Sequence, residues 1–305
     1  VVFLFLEDAL NEYKYYCLAR GYTKKTVKNK GQEYRQLKEY LVNQRTITGL
    51  ENITQHDLKA YIRQKQIAGV QPSSIVSMAK QVIAFFNWCI KEEYLENNPM
   101  DKVVLPKVPK KVLQGYTPEE VQRMIDAWSN RTFLECRNKA IIAMMADCGL
   151  RSMEIRGLLT KEVQDTSILV HGKGNKDRMV FISPHLKKIL IKYERLRKQY
   201  FEKELVHSEN YFVSYLGYGI SHPVIHNLVK ESGRRANVED AHPHKFRHFY
   251  ATQALSAGNL DVYSLSQLLG HSDISTTQAY LRSLNTKQLM DKATSSSPLM
   301  NMSKK

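Results

Sequence analysis

The sequence predicts a mainly helical protein of two domains, with one small β-hairpin set in the second. Three observations carry this. Residues 1–98 hold four stretches in which apolar residues return at helical spacing, enough for one small core. A basic, proline-punctuated run, VLPKVPKKVL, then breaks the pattern. Beyond it, helical patterning is interrupted once, by two short β-rich runs that flank GKGNKDR. A length of 305 residues suits two domains.

The first stretch runs from about Phe3 to Ala19 and ends at Gly21. The second starts at a helix cap, Thr23, and places Val27, Tyr34, Leu37 and Leu41 on one side. The third opens at Thr54 with Asp57 three residues on, an acidic form of the capping box. Its apolar face is expected to hold Leu58, Tyr61, Ile62 and Ile67. The fourth starts at Ser73 or Ser74, carries Ile75, Met78, Val82, Phe85, Phe86 and Cys89, and is expected to stop at Asn97-Asn98-Pro99. These boundaries give a helical domain over residues 1–104 and a linker over 105–115. The linker either runs along a polyanion or is a plain surface connection.

The second domain, 116–285, opens at Thr117-Pro118-Glu119-Glu120. Thr117 caps, Pro118 fits the first helical position, and the acids complement the helix dipole. A helical run through Trp128 follows, then another from about Phe133 to Cys148, stopped by Gly149. The runs Ser167–Val170 and Met179–Ile182 read as paired strands. Helical patterns resume at Pro184 and dominate to the end. Residues 286–305 form a tail, and its SSSPLMNMSKK run has no periodic pattern. Leu281, Leu284, Leu289 and Met290 share one apolar helical face, expected to pack on a neighbouring subunit or back on its own domain.

Charge narrows the function. The net charge is +15, with +6 over residues 1–110 and +9 over 111–305. An excess spread over both domains favours a polyanionic partner, though a basic protein without one has the same totals. Cys17, Cys89, Cys136 and Cys148 form no C-x-x-C pair and sit among apolar residues, so they read as buried free thiols in a reducing compartment. VVFLFL is too short for a membrane span and lacks a basic flank for a signal peptide. A cytoplasmic protein with no membrane partner is expected.

Several residues bear chemistry. Arg151 follows a helix-ending glycine, and Glu154 three residues on orients it if the turn is helical; the alternative is a surface ion pair of little worth. His244, Arg247 and His248 fall at i, i+3 and i+4, which puts His244 beside both on a helix. A zinc reading lacks the glutamate of H-E-x-x-H and a third ligand. GKGNKDR lacks the phosphate-loop spacing, so a basic hairpin reaching a phosphate fits better than a nucleotide site. In LLGHSDISTTQAYLR, Tyr280 stands nine residues after Gly270-His271. A phenol of pKa roughly 10 is a poor nucleophile until fixed guanidinium groups stabilise charge on the phosphate it attacks.

Together these residues resemble the tyrosine recombinase, or phage integrase, family over about residues 3–285. The family's first arginine box, near T-G-L-R-x-S-E-[IL], matches CGLRSMEI and points to Arg151. H-x-L-R-H matches HKFRH and points to His244 and Arg247. L-L-G-H…T-T…Y points to His271 and Tyr280. G-K-G-x-K-x-R matches GKGNKDR and points to Lys173. Cys148 stands for the usual threonine, Met153 for a common serine and Phe246 for leucine.

The resemblance implies an N-terminal four-helix core-binding (SAM-like) domain and a tyrosine recombinase catalytic domain, clamped around duplex DNA. The chain is Xer-like in size, with no arm-binding domain in the sequence. Catalysis is implied for Arg151, Lys173, His244, Arg247, His271 and Tyr280. Further DNA contacts are expected at Lys176, Arg178, Lys245, Lys107, Lys110 and Lys111. The expected partners are double-stranded DNA and copies of the chain itself, four on DNA and one when free. No metal or cofactor is implied, because a covalent protein–DNA link conserves the phosphodiester energy. A recombinase-fold repressor or architectural factor without strand exchange, and a type IB topoisomerase, are the competing readings.

Overall fold

The computed structural model describes residues 4–109, 115–172, 177–203, 205–257, 260–271 and 273–281. The chain falls into two compact units, Val1–Lys110 and Lys111–Lys305, divided inside the basic, proline-punctuated run.

Four helices carry the first unit: α1 (Leu6–Ala19), α2 (Lys24–Glu39), α3 (Gln55–Ile67) and α4 (Pro72–Lys91). Thr23 caps α2 through the Thr26 amide, and Thr54 and Asp57 form the full reciprocal box at α3. Tyr13 sits at the centre of the core, with ring centroids 5.7 Å from Tyr34, 5.5 Å from Phe85 and 5.2 Å from Trp88. Such edge and tilted contacts add to the apolar area these rings bury.

Two boundaries and one burial differ from the sequence expectation. α1 begins later than Phe3, because Phe5 is drawn into an extended bridge with Gly49. α4 ends at Lys91, well before Asn97. Glu93 takes a left-handed φ of 61° and the Tyr94 amide reaches back to the Cys89 carbonyl at 2.8 Å. That is a glycine-type helix stop made by a glutamate, so it left no mark in the sequence. Ile67, placed on the buried face of α3, is 79% exposed because it lies in the last turn, past the core.

The second unit is built around α6 (Phe133–Cys148), which is buried nearly all round. α5 (Pro118–Asp126), α8 (Pro184–Tyr200) and α10 (Pro243–Ser256) pack against it. The short α7 (Ser152–Gly157) leads to the hairpin, β1 (Ser167–His171) and β2 (Asp177–Phe181), paired antiparallel with His171 opposite Asp177. The strands thus run closer to the turn than expected. α9 (His222–Ala236), α11 (Val262–Leu269) and α12 (Ile274–Leu281) are the remaining α-helices among the described residues.

The described residues between α8 and α9 form no helix, against the expectation of continuous helical patterning. Tyr211 and Val213 are buried there as extended chain, held by the Tyr211 amide on the Leu158 carbonyl at 2.7 Å and by bridges at Asn210 and Val213. All four cysteines are buried and unpaired. Among the described residues no helix is long and apolar enough to cross a membrane.

Candidate active site

Two glycines and one tyrosine set the frame. Gly149 ends α6 in the left-handed region, and a Cβ there would lie 2.5 Å from the Tyr250 ring. Gly270 ends α11 the same way, with Arg178 packed directly over it: a Cβ would meet the Arg178 Cδ at 3.0 Å. Only glycine meets both demands. Tyr116 fixes the start of α10, since its hydroxyl donates to the His242 carbonyl at 3.1 Å and accepts from the His242 amide at 2.9 Å.

Three guanidinium groups meet at the end of α11. Arg247, on α10 and 1% exposed, donates Nη1 to the Gly149 carbonyl at 2.9 Å and Nη2 to the Leu269 carbonyl at 2.6 Å. Arg151, which caps α7, donates Nη1 to Glu154 at 2.9 Å and to the Leu269 carbonyl at 3.4 Å. Arg178, on β2, donates Nε to the Leu268 carbonyl at 2.7 Å and grips both Glu154 oxygens at 2.9 Å. Helix C-terminal carbonyls carry partial negative charge, so they are good hosts for cations. Three guanidinium charges face one carboxylate, leaving the site short of negative charge.

The aromatic groups stack beside them. His244 and His248 rings touch at 4.6 Å, one turn apart on α10. His248 meets the Tyr280 ring edge-on at 5.0 Å, and His271 lies over it at 6.1 Å. His271 shares a 2.7 Å hydrogen bond between its Nδ1 and the Thr277 hydroxyl, which sets its ring orientation. Burial, then the nearby arginines and histidines, lowers all three imidazoles: His248 and His271 to about 4, His244 by direction. Burial also lowers Arg247, to about 10, with Arg151 adding to the effect. Burial raises the Tyr280 phenol, while Arg247 and Arg151 draw it back. At neutral pH the imidazoles are therefore neutral, the Arg247 guanidinium charged and the phenol protonated. Such a set can hold an anion, accept a phenolic proton and donate hydrogen bonds without a net proton of its own.

Of the residues expected from sequence, Arg151, His244, Arg247, His271 and Tyr280 come together here. Lys173, Lys176, Lys110 and Lys111 lie outside the described residues. Lys107 is exposed in the first unit. Two of the residues expected to contact DNA have partners within the protein. Arg178 is turned inward on Glu154 and the end of α11, so its place is under the site. Lys245 sits 3.2 Å from Asp240 and 5.6 Å over the Tyr116 ring. His248, singled out in the sequence with His244 and Arg247 but not among the catalytic residues the resemblance implies, touches Tyr280.

Glu154 is 7% exposed and counters two arginines, so Glu154→Gln should destabilise the fold by about 3–5 kcal/mol at neutral pH. Burial works to raise its pKa, but hydrogen bonds and charge from Arg178 and Arg151 outweigh that and hold it below the ordinary value. A depressed carboxylate contributes fully above its unfolded pKa, and the contribution fades as pH falls below it. Urea unfolding should then show the gap between wild type and variant narrowing below about pH 4.3. A constant gap would mean that the loss is one of packing.

Three arginines at the end of a glycine-stopped helix, one of them fully buried, thus stand beside three imidazoles and a tyrosine, an arrangement with the chemistry to hold a phosphate. The model of the family described as "Phage integrase family" matches residues 115–287. Tyrosine recombinase XerC of Lactobacillus leichmannii is 31% identical over 266 residues, covering 86% of this chain and 89% of the relative. Among solved structures, XerH site-specific recombinase bound to palindromic difH substrate superposes with a TM-score of 0.72 at 19% identity, covering 90% of this chain and 81% of that one. A lambda integrase tetramer bound to a Holliday junction gives 0.72 at 16%, covering 93% and 79%. The chain belongs to the phage integrase family and is a tyrosine site-specific recombinase.

Proposed function

We propose that the protein cuts and rejoins duplex DNA through a 3′-phosphotyrosyl link at Tyr280. Arg151 and Arg247 receive the non-bridging oxygens of one phosphate, and their charge grows in worth as negative charge builds on phosphorus. The Tyr280 oxygen bonds to phosphorus and the bond to the 5′ oxygen breaks. The phenolic proton passes to the imidazoles. His244 is the acceptor expected from the family, and His248, in ring contact with both, links it to Tyr280. Lys173 supplies the proton taken by the departing 5′ oxygen, and His271 donates a further hydrogen bond to the phosphate. The reverse steps rejoin the strand without ATP, since the phosphotyrosyl link keeps the bond energy.

The observation that carries this reading is the packing of the Tyr280 phenol against Arg247 in the site that also holds Arg151. The two basic units together hold duplex DNA, and four copies assemble on a pair of sites; the lambda integrase tetramer on a Holliday junction supports that stoichiometry. Free copies are single. A DNA substrate and four unpaired thiols support a cytoplasmic location. The test is a nicked suicide duplex carrying the bound sequence, followed by a second duplex. A denaturant-resistant protein–DNA adduct and joining to the second duplex are the expected results. Binding without an adduct would leave a DNA-binding factor, and an adduct that only reseals its own strand would leave a topoisomerase.

A further inference from the structure

Beside the reacting groups lies an open cavity of about 480 Å³. Arg151, His244 and Arg247 form one side. His222 and His226, from the first turns of α9, and His242, just before α10, line it as well, with Leu150, Ser152, Met153 and Pro243 between. No carboxylate is among its described lining residues. Asp240, which acts on His242, is already paired with Lys245. The volume equals that of roughly 16 waters at about 30 Å³ each, so a single phosphate on the two arginines leaves most of it open.

We propose that His222, His226 and His242 form a seat for a second backbone phosphate of the DNA strand, next to the one held by Arg151 and Arg247. The proposal rests on the recombinase reading. Strand phosphates follow one another at about 3.4 Å of helix axis, so a neighbour of the reacting phosphate falls within reach of the same cavity. An imidazole donates one hydrogen bond when neutral and two when protonated, and a phosphate oxygen accepts either. None of these three histidines has a part in the chemistry at Tyr280.

The seat has a signature. In the free protein, Arg247 and Arg151 repel a proton on His244, at the edge of the same cavity. Phosphates on the arginines cancel that repulsion and attract the proton. DNA binding therefore takes up protons, and affinity rises as pH falls through the ordinary imidazole range near 6.5.

The experiment measures binding of a mixed-sequence duplex by the full chain at constant ionic strength, from about pH 8 to about pH 6, for the wild type and for H222Q/H226Q. Wild-type affinity should rise about sixfold, the effect over this range of one imidazole shifted by a unit from near 6.5, and the variant should rise by less than about twofold. Imidazole proton resonances of the wild type should show DNA raising the pKa of these histidines. A variant with the wild-type slope, or imidazoles unmoved by bound duplex, overturns the seat while leaving the recombinase reading standing. If inorganic phosphate moves the imidazoles and duplex DNA does not, the cavity is a free-anion site and the DNA assignment is wrong. No duplex binding at any pH sinks the seat and the recombinase reading together.

Discussion

Tyr280→Phe is expected to reduce covalent capture of DNA by at least about 10⁴-fold, to the background of the assay, with duplex affinity nearly unchanged. The substitution deletes one oxygen. The ring stays packed between His248 and His271, whose centroids lie 5.0 and 6.1 Å away, so the core around it survives. Loss of the hydroxyl beside buried Arg247 should cost no more than about 1.5 kcal/mol. The measurement is denaturing electrophoresis of the protein with labelled suicide duplex, beside a thermal melt. A full-strength adduct from the phenylalanine variant would remove Tyr280 from the mechanism.

Arg247→Lys should damage both fold and chemistry. The guanidinium bridges two carbonyls from separate helix ends, Gly149 and Leu269, and is 1% exposed. A lysine keeps the charge but loses the planar fork, so it cannot hold both carbonyls in the same geometry. One buried carbonyl left without a donor, with imperfect packing around a shorter group, should cost about 2–4 kcal/mol. Adduct formation, measured at a temperature where the variant is fully folded, should slow by about 10²–10³-fold or more, as for loss of one charge-stabilising donor. An adduct rate equal to the wild type, with the stability loss present, would make Arg247 a purely structural bridge.

Much of the local structure was legible in the sequence because its causes are local. Thr23, Thr54 and Thr117 each cap the helix they were expected to cap, since a cap needs only the amides one turn ahead. Arg151 and Glu154 pair as their spacing implies, and His244 and His248 touch for the same reason. The stop of α4 at Glu93 was hidden, because a glutamate in the left-handed region carries no sequence mark. The buried, extended run through Tyr211 and Val213 was hidden too. Its stability comes from α8 and from the chain after α7, far away in sequence.

By itself, then, the sequence determined the helical class, the hairpin, the helix starts capped by Thr23, Thr54 and Thr117, the reactive residue types and the family they belong to. Tertiary structure decided what those residues do to one another. Arg151, Arg178 and Arg247 come from a helix cap, a strand and a helix, and meet on carbonyls up to 118 residues away. That meeting turned Arg178 inward onto Glu154 and the end of α11, and brought His248 against Tyr280. It also set the protonation states, since burial and converging guanidinium groups lower the imidazoles. Capping and helical spacing depend on neighbours within a turn or two. Desolvation and long-range charge depend on which surfaces meet when the chain packs, and no short window of sequence contains that.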